Sequence, residues 1–244
     1  MEYIYESAQR SYEDFASGRV LYNARGTTSF PVRLASEIVQ RCLRMLEDRG
    51  NEGPYTLFDP CCGGGYLLTV AGLLHGQRFK QVIGSDVNAG VLELAGNNLS
   101  LLTPEGMQRR EKQIKELIQL YDKPSHHEAL QSVARLEQLL DRSAIEEVRC
   151  FQGDITNWQE PFDLPHKANL VLTDLPYGQI VSWNGDRADP VHDFFEHVYR
   201  LLEPGRAVVA VIADKSQKLR HDRFTKIQGF KVGKRQVAIL EPKG

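Results

Sequence analysis

Two short apolar runs in this chain each end in an aspartate, and a glycine turn lies between them. Tyr55-Thr56-Leu57-Phe58 runs into Asp59-Pro60-Cys61-Cys62-Gly63-Gly64-Gly65, and Gln81-Val82-Ile83-Gly84-Ser85 runs into Asp86. Glycines let main-chain N–H groups approach a ligand without a Cβ in the way. Carboxylates at the carboxyl ends of strands lie where open α/β sheets bind their ligands. Asp86 follows Gly65 by 21 residues, close to the spacing at which an acid grips ribose hydroxyls in a nucleotide-binding unit. A third run, Ala168-Asn169-Leu170-Val171-Leu172-Thr173, leads into Asp174-Leu175-Pro176-Tyr177-Gly178. Asp174 can accept a hydrogen bond from an amino or ring N–H group, Pro176 stiffens the loop, and Tyr177 offers a face on which a base can stack.

The kind of ligand follows from charge. A dinucleotide site asks for Gly-x-Gly-x-x-Gly, but the position three after Gly65 is Leu68. Asp59 just before the turn would repel a diphosphate and attract a cation. S-adenosylmethionine carries a sulfonium, an ammonium and a ribose but no phosphate, so it fits this pattern better than a nicotinamide dinucleotide. The competing readings are an ordinary glycine turn with two strand-end acids and a proline-tyrosine surface turn.

Composition narrows the class. At 244 residues, 41% hydrophobic and 25% charged, the chain has the size and make-up of one soluble α/β domain with additions. No apolar run approaches the ~20 residues that cross a bilayer, and the acidic, aromatic start Met1-Glu2-Tyr3-Ile4-Tyr5-Glu6 is unlike a signal peptide. Cys42, Cys61, Cys62 and Cys150 lack Cys-x-x-Cys spacing and read as reduced thiols of a cytoplasmic protein, not as metal ligands. The net charge is −2, yet residues 215–235 carry eight basic side chains against the lone acid Asp222. Lys215, Lys218, Arg220 and Arg223 are therefore candidates for a phosphate-binding rim, with Arg10, Arg25 and Arg33 of the leader as additions. A solvated charged face is the plainer alternative.

These residues need a scaffold. Residues 1–28 read as a leader with one or two short strands. A helix follows, capped by Ser29, with Leu34, Ile38, Cys42, Met45 and Leu46 as its apolar stripe. From residue 54 strands and helices alternate: strand 55–59, helix 64–75, strand 81–86, helix 89–101, strands 148–152 and 168–173, helix 190–202 and strand 207–212. That order predicts a mainly parallel sheet with helices on both faces, closed by an antiparallel hairpin near 230–240. The division expected is a 1–53 extension and a 54–244 catalytic domain. The 68 residues from Asp86 to Asp154 exceed what one helix-and-strand unit needs. The excess, about 104–147, reads as an inserted helical hairpin, its second helix capped by Ser125 with Glu128 closing a capping box.

Asp59-x-x-x-Gly63-x-Gly65, Asp86, Asp154 and Asp174-Leu175-Pro176-Tyr177 together resemble the Rossmann-like class I S-adenosylmethionine-dependent methyltransferases. The last motif is similar to the Asp/Asn-Pro-Pro-Tyr signature of those that act on amino groups of bases. Phe30-Pro31-Val32-Arg33-Leu34-Ala35, Asp59-Pro60-Cys61-Cys62-Gly63, Tyr66-Leu67-Leu68-Thr69-Val70 and Leu172-Thr173-Asp174-Leu175-Pro176-Tyr177-Gly178 resemble the avilamycin-resistance ribosomal RNA methyltransferases. The resemblance implies a mostly parallel seven-stranded sheet and methylation of a guanine, at N1 or N2, in 23S rRNA or the large ribosomal subunit, with antibiotic resistance as a consequence. It implies Asp59, Cys61, Gly63 and Gly65 against the methionine part of the cofactor, and Asp86 on the ribose. Val87 and Asn88 would lie beside the adenine, which Asp154 and Ile155 would bracket, and Asp174 and Tyr177 would hold the target base. Leu175 replaces the first proline of the common motif and leaves the target atom open. A monomer needing no metal is expected. Base methylation of tRNA or DNA, an inactive RNA-binding module, and a nicotinamide-dependent oxidoreductase are the alternatives.

Overall fold

The computed structural model describes residues 2–24, 29–157, 164, 166–176, 183 and 189–244. Seven strands form one sheet in the order β3-β2-β1-β4-β5-β7-β6. They are β1 (Tyr55–Asp59), β2 (Phe79–Asp86), β3 (Glu147–Gln152), β4 (Leu170–Asp174), β5 (Val208–Asp214), β6 (Phe224–Val232) and β7 (Arg235–Pro242). The first five in that order pair in parallel, while β7 runs antiparallel to both β5 and β6. The helices are α1 (Val32–Glu47), α2 (Tyr66–His75), α3 (Ala89–Ser100), α4 (Pro104–Tyr121), α5 (Pro124–Leu140) and α6 (Pro190–Leu201).

Alternation along the strands sends successive side chains to opposite faces. Leu57, Val82, Leu172, Val208 and Ala210 join α1, α2 and α3 in one core. Phe58, Ile83, Val171, Val209 and Val211 join Phe194, Phe195 and Val198 of α6 in the other. β1 and β5 are buried nearly throughout, as their unbroken apolar runs require.

Three local expectations are corrected. The leader forms no strand among its described residues; its one regular piece is a 3-10 turn over Glu13–Phe15. Side chains, not a ladder, answer its backbone. Both carboxylate oxygens of buried Glu37 accept from Ile4, Tyr5 and Glu6 N–H at 2.8–2.9 Å. Ser29 does not cap α1, whose N-cap is Pro31. Nor does Ser125 cap α5: Lys123 holds that position ahead of Pro124, and Glu128 pairs with Arg19 at 2.8 Å. Proline prefers the first helical position, so Pro124 sets the start before Ser125. On α4, Glu111 and Lys115 pair one turn apart at 2.8 Å.

Candidate active site

β1 is flanked by β2 on one side and β4 on the other, so the chain leaves the sheet centre in opposite directions there. Such a switch point opens a crevice at the carboxyl ends of the strands. Asp59, Asp86 and Asp174 close β1, β2 and β4, at the carboxyl ends where that crevice opens.

The glycine turn is fixed by the strand next to it. Cys62 N–H donates to Ser85 O at 2.9 Å, Gly63 N–H to Asp86 Oδ2 at 2.9 Å, and Asn88 N–H to Asp86 Oδ1 at 2.9 Å. Gly63 and Gly65 have φ of +52° and +73°, the left-handed region, while Cys61 does not. A Cβ on Gly65 would also stand 3.1 Å from the Ala95 backbone. Only glycine satisfies both demands.

Asn98 was not foreseen from the sequence. It is 1% exposed on α3 and ties leader to turn: Nδ2 donates to Gly64 O at 2.8 Å and to Tyr22 O at 3.1 Å, and Oδ1 accepts from Tyr22 N–H at 2.7 Å. Asn98→Leu would strand three backbone groups in the interior. Each costs roughly 1–3 kcal/mol, so a fall of several degrees in thermal midpoint is expected, together with weaker cofactor binding. Differential scanning fluorimetry with and without S-adenosylmethionine reads both.

The acids differ in their surroundings. Asp59 is 2% exposed and its pKa is pushed up to about 7. Burial is the main cause, the nearby Asp86 and Asp174 charges add to it, and the Cys61 N–H opposes it. Asp174 is raised to about 6, again by burial, with Arg235 opposing from 3.8 Å. Its Oδ1 is buried with no hydrogen-bond partner among the described residues. Burial holds the Cys61 and Cys62 thiols well above their ordinary value, which removes them as nucleophiles.

The remaining candidates fall as follows. Asp154 Oδ1 accepts from the Thr156 N–H and hydroxyl at 2.8 and 2.6 Å, which orders the loop after β3. Ile155 is buried beside α6 and its carbonyl meets His197. Val87 O accepts from Gln152 at 3.1 Å, and Asn88 caps α3. Leu175 is 1% exposed and packs into the α6 core, its N–H bonded to Ile212 O at 2.9 Å. Pro176 O accepts from Gln217 at 3.4 Å. Gln217 escaped the sequence reading because it lies 41 positions away. The Trp183 ring lies 6.4 Å from that of Phe194, centroid to centroid. Tyr177 lies outside the described residues.

Of the basic candidates, Lys215, Lys218 and Arg220 are exposed on the segment after β5. Arg223 binds Glu196 at 2.9 Å and covers the Tyr199 ring. Arg33 donates to Glu6 O and Ser7 O and lies over Tyr3, so its guanidinium organises the leader. Arg10 bonds Glu6 and Tyr12. Arg25 lies outside the described residues.

A second polar cluster joins His192, Glu196 and His221, whose ligand-type atoms lie within 4.8 Å of one another. Arg223 N–H donates to His221 Nδ1 at 3.2 Å, and Nε2 faces Glu196 at 3.3 Å. The Arg223 guanidinium already holds that carboxylate, so the group is an ion-pair cluster in its present form.

A switch-point crevice, a glycine turn and strand-end acids on a seven-stranded sheet with one antiparallel hairpin define a class I methyltransferase. Over residues 1–235 the chain matches the model of the rRNA methyltransferase AviRa. It belongs to the AviRa rRNA methyltransferase family. It is 41% identical over 234 residues to a 23S rRNA (guanine(2535)-N(1))-methyltransferase of Streptomyces viridochromogenes, covering 93% of this chain and 90% of that one. Two structures of rRNA methyltransferase AviRa from that organism match with TM-scores of 0.85 and 0.83 at 38% identity, over 98% of this chain and 96% of theirs. TrmN from Thermus thermophilus shares the fold, with a TM-score of 0.51 at 17% identity over 90% of this chain and 51% of its own.

Proposed function

We propose that this enzyme methylates N1 of a guanine in 23S rRNA, with S-adenosylmethionine as donor. The observation that carries the choice of atom is Asp174, the acid that ends β4, whose Oδ1 has no hydrogen-bond partner among the described residues and whose pKa is raised to about 6. A group ionised at neutral pH yet short of partners is suited to receive a proton. Guanine N1 must lose its proton to become a nucleophile, whereas an acceptor nitrogen would need no base.

The crevice suits the donor. Asp59 is a buried carboxyl with no cation paired to it among the described residues, and the turn at Cys61, Gly63 and Gly65 would admit a ligand against its backbone. These would hold the methionine end, Asp86 the ribose, and Val87, Asn88, Asp154 and Ile155 the adenine. The donor when bound supplies an electrophilic methyl on a sulfonium. The protein supplies alignment, so positioning accounts for most of the acceleration. As the N1–carbon bond forms, the N1 proton passes to Asp174. Tyr177 would stack on the base, held by the loop that Leu175 and Pro176 anchor. Lys215, Lys218 and Arg220 would meet RNA phosphates.

Among the described residues no helix is long and apolar enough to cross a membrane. The enzyme would act as a monomer in the cytoplasm, on 23S rRNA or the large subunit. The test is incubation with tritiated S-adenosylmethionine and separated 23S, 16S and tRNA fractions. Label is expected in 23S rRNA, at a nucleotide where reverse transcription stops, because an N1-methyl blocks Watson–Crick pairing. Label in none of the fractions overturns the proposal; label without a stop moves the target atom to N2.

A further inference from the structure

Asp174 has a neighbour from the far side of the sheet. Arg235 opens β7 and pairs in register with Asp214, the last residue of β5. β5 also lies beside β4, so the start of β7 is brought to the mouth where Asp174 ends its strand. The Arg235 guanidinium lies over the Phe30 ring, 5.4 Å from its centroid. Its Nε stands 3.8 Å from Asp174 Oδ2. That distance is a charge contact and too long for a hydrogen bond. The two side chains are 28% and 27% exposed.

A fixed carboxylate beside a fixed guanidinium matches a base edge on which a ring N–H donor sits next to a carbonyl acceptor, the pairing that guanine and uracil present and adenine does not. The Watson–Crick edge of guanine sets a donor, N1–H, next to an acceptor, O6. The carboxylate answers the first and the guanidinium the second. Adenine reverses the pair, with an acceptor at N1 and an amino donor at N6, and would set like against like at both positions. Loss of the N1 proton also spreads negative charge onto O6. A guanidinium stays protonated throughout, and a donor already aimed at such an oxygen needs no reorganisation as the charge develops.

We propose that Arg235 is a specificity-determining residue of the methyl transfer, donating to guanine O6 while Asp174 receives the N1 proton. The inference rests on the guanine-N1 reading above. N1 gains the methyl as the S–CH3 bond breaks, its proton goes to Asp174, and Arg235 holds the charge that remains on O6 until the ring is neutral again.

The full-length enzyme, Arg235→Met and Arg235→Lys are to be compared on 23S rRNA from pH 6 to 9. Arg235→Met is expected to lower kcat about 10- to 100-fold at pH 7, with donor affinity by calorimetry and thermal midpoint unchanged. The deficit should narrow as pH rises toward the range where guanine N1 ionises unaided. Charged groups on the elements around Asp174 are Asp59 of β1, Asp214 at the end of β5, Lys215 just after it, and Arg235 itself. Removing the Arg235 cation, which lowers the Asp174 pKa, should also move the acid limb of the profile upward. Arg235→Lys should recover part of kcat, since a point charge replaces the fork. A kcat within threefold of the parent, a deficit constant with pH, or an equal loss of donor affinity overturns the inference. If the parent labels guanine N1 and Arg235→Met does so equally well, this inference alone fails. If the parent labels no guanine N1, both readings fall.

Discussion

Replacing Asp59 by asparagine is expected to lower affinity for S-adenosylmethionine about 100-fold at pH 8 and to make the free protein more stable. The two effects share a cause. Asp59 is nearly inaccessible and its pKa is pushed up from 3.8 to about 7, chiefly by burial. In the unfolded chain it ionises in the ordinary range, so the folded state binds this proton more tightly. Its contribution to stability is thus greatest below pH 4 and declines as pH rises to about 7. Above that the buried charge costs the fold on the order of 4 kcal/mol. Asparagine keeps an oxygen for the Cys61 N–H, 3.0 Å away, and carries no charge. At pH 8 the thermal midpoint of Asp59→Asn should exceed that of the parent by several degrees, and at pH 4 the two should melt together. Binding should move the opposite way, since a buried charge–cation pair that loses one partner forfeits about 3 kcal/mol. Below pH 7 the parent must release a proton to accept a cation, so calorimetry in two buffers of different ionisation enthalpy should detect proton release in the parent and not in the variant. Unchanged affinity, or a lower midpoint at pH 8, would remove Asp59 from the cofactor site.

What the sequence reveals here is what is local or periodic. β1 is found at residues 55–59 because its apolar run abuts a glycine turn, and α6 because its stripe ends at Glu203-Pro204-Gly205. The three strand-end acids could be brought together from the sequence because parallel pairing forces their strands to end on one side. The leader could not be read this way. Its shape is dictated by Glu37, Tyr66 and Asn98, from 31 to 76 positions distant, and such contacts leave no period. Arg33 illustrates the limit of reading charge alone: it looks like a rim residue, yet it lies over Tyr3 and binds leader carbonyls. Arg235 illustrates the reverse. In sequence it is one of eight basic residues in a run, and only the order β4-β5-β7 sets it beside Asp174.

Asp174→Asn is expected to cut methyl transfer by at least about 1,000-fold, within the range for losing a general base, while leaving donor affinity within about 1–2 kcal/mol. The separation of the two readouts follows from how the loop is held. Leu175 is buried and its N–H bonds Ile212 O, and Pro176 O meets Gln217, so the motif keeps its place without the Asp174 carboxylate. Asp174 Oδ1 makes no hydrogen bond among the described residues, so an amide there disturbs little. Asparagine can still accept a hydrogen bond but cannot take the proton. The parent should therefore gain kcat from pH 5 to about 7, as a carboxyl raised to about 6 ionises, and then level off. The variant should lack that limb, its residual rate rising only where the base ionises by itself. A variant whose donor binding collapses would place Asp174 at the cofactor instead of the base. One that retains the acid limb would show that another group takes the proton.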